Sequence, residues 1–382
     1  MGQPAAEILD GGRVVAVTLP DGARRRFHAV WLRDNAHDAT TRAAGEGQKL
    51  LTLAQLPADP RVSAARVEGG RLRLTFQPED RAIVYDPHWL AAHAYDRPPP
   101  TRPGWIAPEL ATWDAGLGSA LPVAEYDAVR RSEAALGAWL RDVRRLGVGR
   151  LTGGPVESGA LLRVAALFGY VRETNYGRLF DVRVDVHARN LAFTALGLQP
   201  HTDNPYRDPV PTLQILYCLE SSAEGGDSIV VDGFRAAERL RDEHPQAFAL
   251  LTRYCARFTY GDAGDVCLRA RRPVIELAPD GELVTIRINN RSAAAVTDVP
   301  FDDMPDYYAA LRRFSDIVDD PAMAVTFKLA PGECFIVDNT RVLHGRTAYA
   351  GAGARWLQGC YADRDGLLST LTVIEARARP ER

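Results

Sequence analysis

His201-Thr202-Asp203, answered far along the chain by His344, is the set of residues whose types and spacing can do chemistry. On an extended segment side chains alternate faces, so His201 and Asp203 point the same way. A second imidazole from a distant strand then completes three ligands on one face of an octahedral metal and leaves three adjacent positions open. That donor set suits non-haem Fe(II), which must hold a cosubstrate and O2 together. A bare His-x-Asp recurs by chance, and here the surroundings raise it. His201-Thr-Asp-Asn-Pro-Tyr-Arg-Asp208 precedes a strand-like Leu213–Cys218, and His344 lies in Asn339-Thr-Arg-Val-Leu-His-Gly-Arg346. His28, His37, His88, His93, His187 and His244 sit beside charged or turn residues and read as surface or supporting groups.

Beyond His344, the glycines of Gly351-Ala-Gly353 allow the chain to turn and bring Arg355 back toward the pocket. A guanidinium buried there would bind the far carboxylate of a dicarboxylate cosubstrate as a bidentate pair. Thr326 is expected to add a hydroxyl to that carboxylate, and Leu216 is assigned to the same cosubstrate pocket.

The elements that must position these groups are short strands. Leu213–Tyr217, Ser228–Val231, Leu283–Ile288, Ala324–Leu329, Cys334–Val337 and Trp356–Tyr361 have strand patterning, several separated by turn signals such as Gly225-Gly226-Asp227 and Pro331-Gly332. Residues 125–146 have helical spacing, and Ser158–Gly169 reads as a second helix capped by Ser158. Many antiparallel strands framed by a few helices predict a double-sheet jelly roll, with the metal motif at its mouth. Residues 1–96 read as a small β-rich domain, with β-branched Arg13–Leu19 and alternating Arg71–Phe76. The stiff Arg97-Pro-Pro-Pro-Thr-Arg-Pro103 marks a linker, and residues 104–382 form the main domain.

With 382 residues the chain has ample surface to bury, and 46% hydrophobic with 25% charged residues is ordinary for a soluble protein. A net charge of −3 gives no support to a nucleic-acid partner. There is no run of 18 apolar residues and no basic-then-apolar start, so neither a membrane nor a secretory signal is expected. Cys218, Cys255, Cys267, Cys334 and Cys360 are scattered and odd in number, which predicts buried free thiols in a reducing cytoplasm.

These motifs resemble the Fe(II)/2-oxoglutarate oxygenases of the γ-butyrobetaine dioxygenase type. Trp31-Leu-Arg-Asp-Asn35 is similar to that family's N-terminal signature. His201-Thr-Asp203, Gly225–Phe234, Asn339–Arg346 and Gly359-Cys-Tyr-Ala-Asp363 are similar to its catalytic signatures. The resemblance implies a double-stranded β-helix domain, Fe(II) on His201, Asp203 and His344, 2-oxoglutarate and O2 as cosubstrates, ascorbate as a stimulant, and a homodimer. Relatives carry a zinc site built from cysteines after the N-terminal signature and a later histidine. Ala36-His-Asp-Ala-Thr-Thr41 has no cysteine and the later position is Asp80, so no zinc is expected.

The implied substrate is a small trimethylammonium zwitterion. A quaternary ammonium has no N–H to donate, so aromatic faces must hold it, at about 0.5–2 kcal/mol per contact. Tyr176, Phe180, Phe193, Tyr206 and Tyr361 are the candidates, with Phe180 and Phe193 standing where the resemblance implies Trp and Tyr. Asn190, Asn204, Asn290 and Arg291 would hold the anionic end. An arginine beside two amide donors suits a phosphonate better than a planar carboxylate. The first expectation is therefore hydroxylation of 2-(trimethylammonio)ethylphosphonate next to phosphorus. The alternative within the family is γ-butyrobetaine hydroxylation to carnitine, and the alternative outside it is a non-catalytic cupin-like binding protein.

Overall fold

Polar–apolar alternation builds the N-terminal unit. In the computed structural model, which describes residues 5–97, 102–183, 196–261, 265–350 and 353–378, the chain divides into units Met1–Pro99 and Pro100–Arg382. In the first, β1 (Ala5–Leu9), β2 (Val14–Thr18) and β3 (Arg24–His28) form one antiparallel sheet. A second contains β4 (Arg61–Glu68), β5 (Arg71–Gln77) and β6 (Arg81–Tyr85). Leu72, Leu74 and Phe76 of β5 point inward and join Val15, Val17 and Phe27 in one core, while Arg71 and Arg73 face solvent. Helices α1 (Ala29–Asp34) and α2 (Pro87–Ala92) lie in this unit, and the Asp86 side chain accepts from the His88 N–H to cap α2. The stretch after α1 is cross-linked by charge. Arg33, only 1% exposed, binds Glu79 at 2.7 Å, and Asp38 pairs with Arg81 while accepting from Thr40 and Thr41.

The second unit is built on two sheets. The larger has the order β7 (Val123–Glu125), β8 (Val148–Thr152), β19 (Cys334–Asp338), β11 (Leu213–Ser221), β22 (Arg355–Ala362), β9 (Phe180–Val182), antiparallel except for the β7–β8 pair. The smaller has the order β10 (Leu198–His201), β20 (Val342–Arg346), β13 (Ser228–Asp232), β18 (Ala324–Phe327). Leu216, Leu357, Phe335 and Val337 from the larger sheet pack with Val230, Val325 and Val342 from the smaller. The two faces therefore share one core, as the jelly-roll expectation requires. Hairpins β14 (Cys255–Tyr260)/β15 (Leu268–Pro273) and β16 (Ile275–Leu277)/β17 (Leu283–Ile286), and the short pair β12 (Glu224–Gly225)/β21 (Tyr349–Ala350), decorate it.

Helices flank the sheets. The span 125–146 is two helices rather than one, α3 (Tyr126–Arg131) and α4 (Glu133–Leu146), because Ser132 is extended and its Oγ accepts from the Ala135 N–H to start α4. Gly147, at φ 75°, ends it. The second expected helix is shorter than 158–169. Helix α5 spans Ala160–Ala165 behind Gly159, while the Ser158 hydroxyl accepts from Gln358 instead of capping. Helices α6 (Gly233–Glu243), α7 (Pro245–Arg253) and α8 (Met304–Val318) pack together, and α9 (Arg364–Arg377) packs on α4. Among the described residues no helix is long and apolar enough to cross a membrane. Cys218, Cys334 and Cys360 are buried as expected, whereas Cys255 at the start of β14 is half-buried and Cys267, just ahead of β15, is exposed.

Candidate metal centre and its pocket

Antiparallel pairing of β10 with β20 sets His201 directly opposite His344, with ring centroids 4.5 Å apart. Asp203 reaches the same point by a different route from the one alternation predicts, since the strand stops at His201. Asn339 clasps the Asp203 peptide from both sides: its Oδ1 accepts the Asp203 N–H at 2.7 Å and its Nδ2 donates to the Asp203 carbonyl at 3.0 Å. Thr202 is tied to the Ile288 carbonyl, and Asn204 turns the chain with φ 54°. The ligand atoms of His201, Asp203 and His344 lie within 4.8 Å of one another.

The donor chemistry fits a divalent transition metal. His201 Nδ1 sits 2.8 Å from the Gln199 carbonyl, which orients the ring so that Nε2 is turned to the site, 3.3 Å from Asp203 Oδ1. Burial and the neighbouring His201 push His344 down to about 3, which keeps it a neutral ligand. Burial alone would raise the Asp203 carboxyl. Hydrogen bonding from His201, the two imidazoles and Tyr361 outweigh that and hold it well below the usual carboxylate range. Two imidazoles and one carboxylate converging on one point match the iron set expected from the sequence.

A cavity of about 460 Å³ opens beside these ligands. One wall carries Arg355, with Leu216, Leu357, Phe335 and Val182 around it. The Arg355 Nε donates to the Gly226 carbonyl at 2.9 Å, which fixes the guanidinium at the start of β22. Thr326 is not there. It is exposed on the outer side of β18, because its neighbour Val325 is the residue that alternation turns inward. Ser228 and Arg346, buried and paired across β13 and β20, line the wall in its place. Neither was singled out from the sequence as a cosubstrate contact, although Ser228 begins an expected strand and Arg346 closes the Asn339–Arg346 signature.

Much of the remaining lining is aromatic. Tyr176 lies 5.8 Å from Phe180, and Phe180 lies 5.2 Å from Tyr361 (ring centroids). Tyr206 stacks on Tyr260 at 4.9 Å, and Tyr260 meets Tyr176 edge-on at 5.8 Å. Tyr260 was missed because nothing in its local sequence links it to a motif far away in the chain. Burial and Asp203 raise the Tyr361 hydroxyl well above its ordinary value, so it stays a donor. Asn204 and Arg291 line the cavity near the ligands, and Arg291 contributes to lowering His344. Asn290 does not face the site: it is exposed, and its Nδ2 contacts Gln199 at 3.3 Å. Its neighbour Asn289 lines the cavity and caps the short 3-10 turn Asn290–Ser292, its side chain accepting from the Arg291 N–H. Asn190 and Phe193 lie outside the described residues.

Sequence comparisons bear on the same residues. The family described as taurine catabolism dioxygenase TauD, TfdA family, matches residues 112–361, which include all three ligands. The chain belongs to this family. The family described as γ-butyrobetaine hydroxylase-like, N-terminal, matches residues 7–91. A γ-butyrobetaine dioxygenase of Pseudomonas sp. (strain AK-1) is 39% identical over 374 residues, covering 97% of this chain and 96% of the relative. The human γ-butyrobetaine dioxygenase is 30% identical, covering 97% of each. The human mitochondrial trimethyllysine dioxygenase is 29% identical, covering 92% of this chain and 84% of its own. The chain is thus an Fe(II)/2-oxoglutarate-dependent dioxygenase of the γ-butyrobetaine dioxygenase type, with the His201–Asp203–His344 set as its metal centre.

Proposed function

We propose that the protein hydroxylates a small trimethylammonium zwitterion, with γ-butyrobetaine the first candidate. The observation that carries this reading is one cavity that has the metal ligands at its base and a continuous aromatic wall of Tyr176, Phe180, Tyr361, Tyr206 and Tyr260 at its side. A permanent cation without N–H groups is held by such faces. Asn204, Asn289 and Arg291 offer donors to the anionic end. Similarity across nearly the whole chain to γ-butyrobetaine dioxygenases supports the carboxylate over other anions.

Iron with 2-oxoglutarate supplies O2 activation, giving succinate, CO2 and one oxygen inserted into a C–H bond. The protein's own residues bind and aim. His201, Asp203 and His344 would hold the metal, and Arg355 with Ser228 and Arg346 would hold the cosubstrate's far carboxylate. The aromatic wall and Arg291 would grip the zwitterion at its two ends, so that one methylene faces the metal. Such fixed positioning supports both rate and site selectivity, since an error of about 1 Å can cost roughly 100-fold.

A second reading, the trimethylammonium ethylphosphonate, draws support from Arg291 standing with two amide donors, a set that suits a dianion. A substrate panel separates the two. The iron-loaded protein is given 2-oxoglutarate with γ-butyrobetaine, the phosphonate or trimethyllysine, and succinate release and addition of one oxygen are followed. The expected result is the highest kcat/KM for γ-butyrobetaine. A clear preference for the phosphonate would establish the second reading, and no stimulation by any of them would remove the cation wall from the mechanism.

A further inference from the structure

Two side-chain hydrogen bonds to the Asp203 carboxylate land on one oxygen. Gln214 Nε2 donates to Asp203 Oδ2 at 2.7 Å, and the Tyr361 hydroxyl donates to the same atom at 2.8 Å. Gln214 and Tyr361 occupy directly opposed positions on β11 and β22, so a single cross-strand pair delivers both donors. Gln214 is 2% exposed, and turning its amide over would set its carbonyl against the carboxylate, which fixes the NH2 as the inward group. The other oxygen, Oδ1, faces His201 Nε2 at 3.3 Å.

We propose that Gln214 and Tyr361 are positioning residues that occupy Oδ2 and reserve Oδ1 for the metal, so that Asp203 binds through one oxygen only. Two donors use the lone pairs of Oδ2. The carboxylate plane is then fixed by the larger sheet, while both imidazoles come from the smaller. This division matters for the reaction, because a carboxylate binding through both oxygens would take one of the three positions that the cosubstrate and O2 need. Tyr361 therefore has a second duty beyond its ring in the aromatic wall, and Gln214 acts through the Asp203 carboxylate.

The test uses Gln214→Met, which keeps volume and removes the donor, and Tyr361→Phe, which keeps the ring and removes one oxygen. Co(II) binding to each metal-free protein is measured by titration and by the d–d absorption of the bound ion, with no substrate present. Each variant is expected to bind Co(II) about 10- to 100-fold more weakly, the range for lost partners of metal ligands, and to change the d–d bands. Unchanged affinity and spectrum in both would overturn the proposal. A change in one alone would overturn the shared role and leave a single positioning residue. Thermal unfolding of the metal-free proteins separates this from misfolding. If Gln214→Met does not fold, Tyr361→Phe decides, since it deletes only a hydroxyl. The outcome is independent of which zwitterion the pocket takes.

Discussion

Asn204 combines a backbone role with a chemical one. Its φ of 54° is a conformation that asparagine tolerates and β-branched residues resist. Its Oδ1 accepts from the Tyr206 hydroxyl at 2.6 Å, and that hydroxyl meets the Tyr176 hydroxyl at 3.0 Å. With Oδ1 engaged, the buried Nδ2, which has no hydrogen-bond partner among the described residues, is the group offered to the cavity. Asn204→Gly should keep the turn and the melting temperature yet raise KM for the zwitterion by roughly 5- to 10-fold, the loss of one ordinary hydrogen bond of about 1 kcal/mol. Asn204→Val should raise KM similarly and also destabilise by about 1–2 kcal/mol. Steady-state kinetics beside thermal melts check both. Arg291→Ala should act more strongly, about 10- to 100-fold on the same KM, since it removes a charge-assisted bond of about 1.5–3 kcal/mol. An unchanged KM would place the anion elsewhere. The thiols make a separate test: burial pushes Cys218 up to about 11 and Cys334 and Cys360 up to about 12. Alkylation of the native protein at mildly alkaline pH, read by mass spectrometry, should mark exposed Cys267 and spare those three.

Elements place these residues through caps and strand register. Ser132 divides what periodicity reads as one helix, because its Oγ starts α4. Ser132→Ala should cost about 1 kcal/mol with kcat and KM unchanged, as a melting curve with an activity assay would show. This break also marks where reading the sequence stops. Apolar spacing across 125–146 carries helix type but not the Ser132 kink, since a cap is a local competition that leaves the hydrophobic stripe intact. Strands β11, β13, β19 and β22 were legible because their apolar and β-branched runs are buried and bounded by turns. His201 and His344 were legible because each sits inside a dense motif. Gln214, Tyr260, Asn289, Ser228 and Asn339 were not identified as site residues, since each acts only through contacts that sheet register or a loop brings together. Thr326 was misplaced because a one-residue change along a strand turns a side chain to the other face, and Asn290 because the chain enters a 3-10 turn there, which leaves Asn290 exposed and its cap Asn289 on the cavity.

Across the whole catalytic unit, one buried ion pair connects the pieces that hold the metal ligands. Asp232, fully buried at the end of β13, receives Arg341 Nε at 3.0 Å and Nη2 at 2.8 Å. Arg341, 1% exposed, also donates to the carbonyls of Arg145 and Ala111, while Asp232 accepts from the backbone N–H groups of Trp113 and Phe234. The end of α4, the segment at 111–113, the start of α6 and the turn leading into β20 thus meet at two side chains, and β20 carries His344. Removing one partner leaves a charge buried alone, which costs about 3–5 kcal/mol, whereas replacing both by apolar groups of matching volume can be nearly neutral. Asp232→Ala should therefore lower stability by about 3–5 kcal/mol in denaturant melts, and Asp232→Leu with Arg341→Met should recover much of it. If the pair also sets the position of His344, the recovered double variant will still bind Co(II) more weakly than the parent. A double variant with parental Co(II) affinity would show that the pair stabilises the fold without tuning the metal centre.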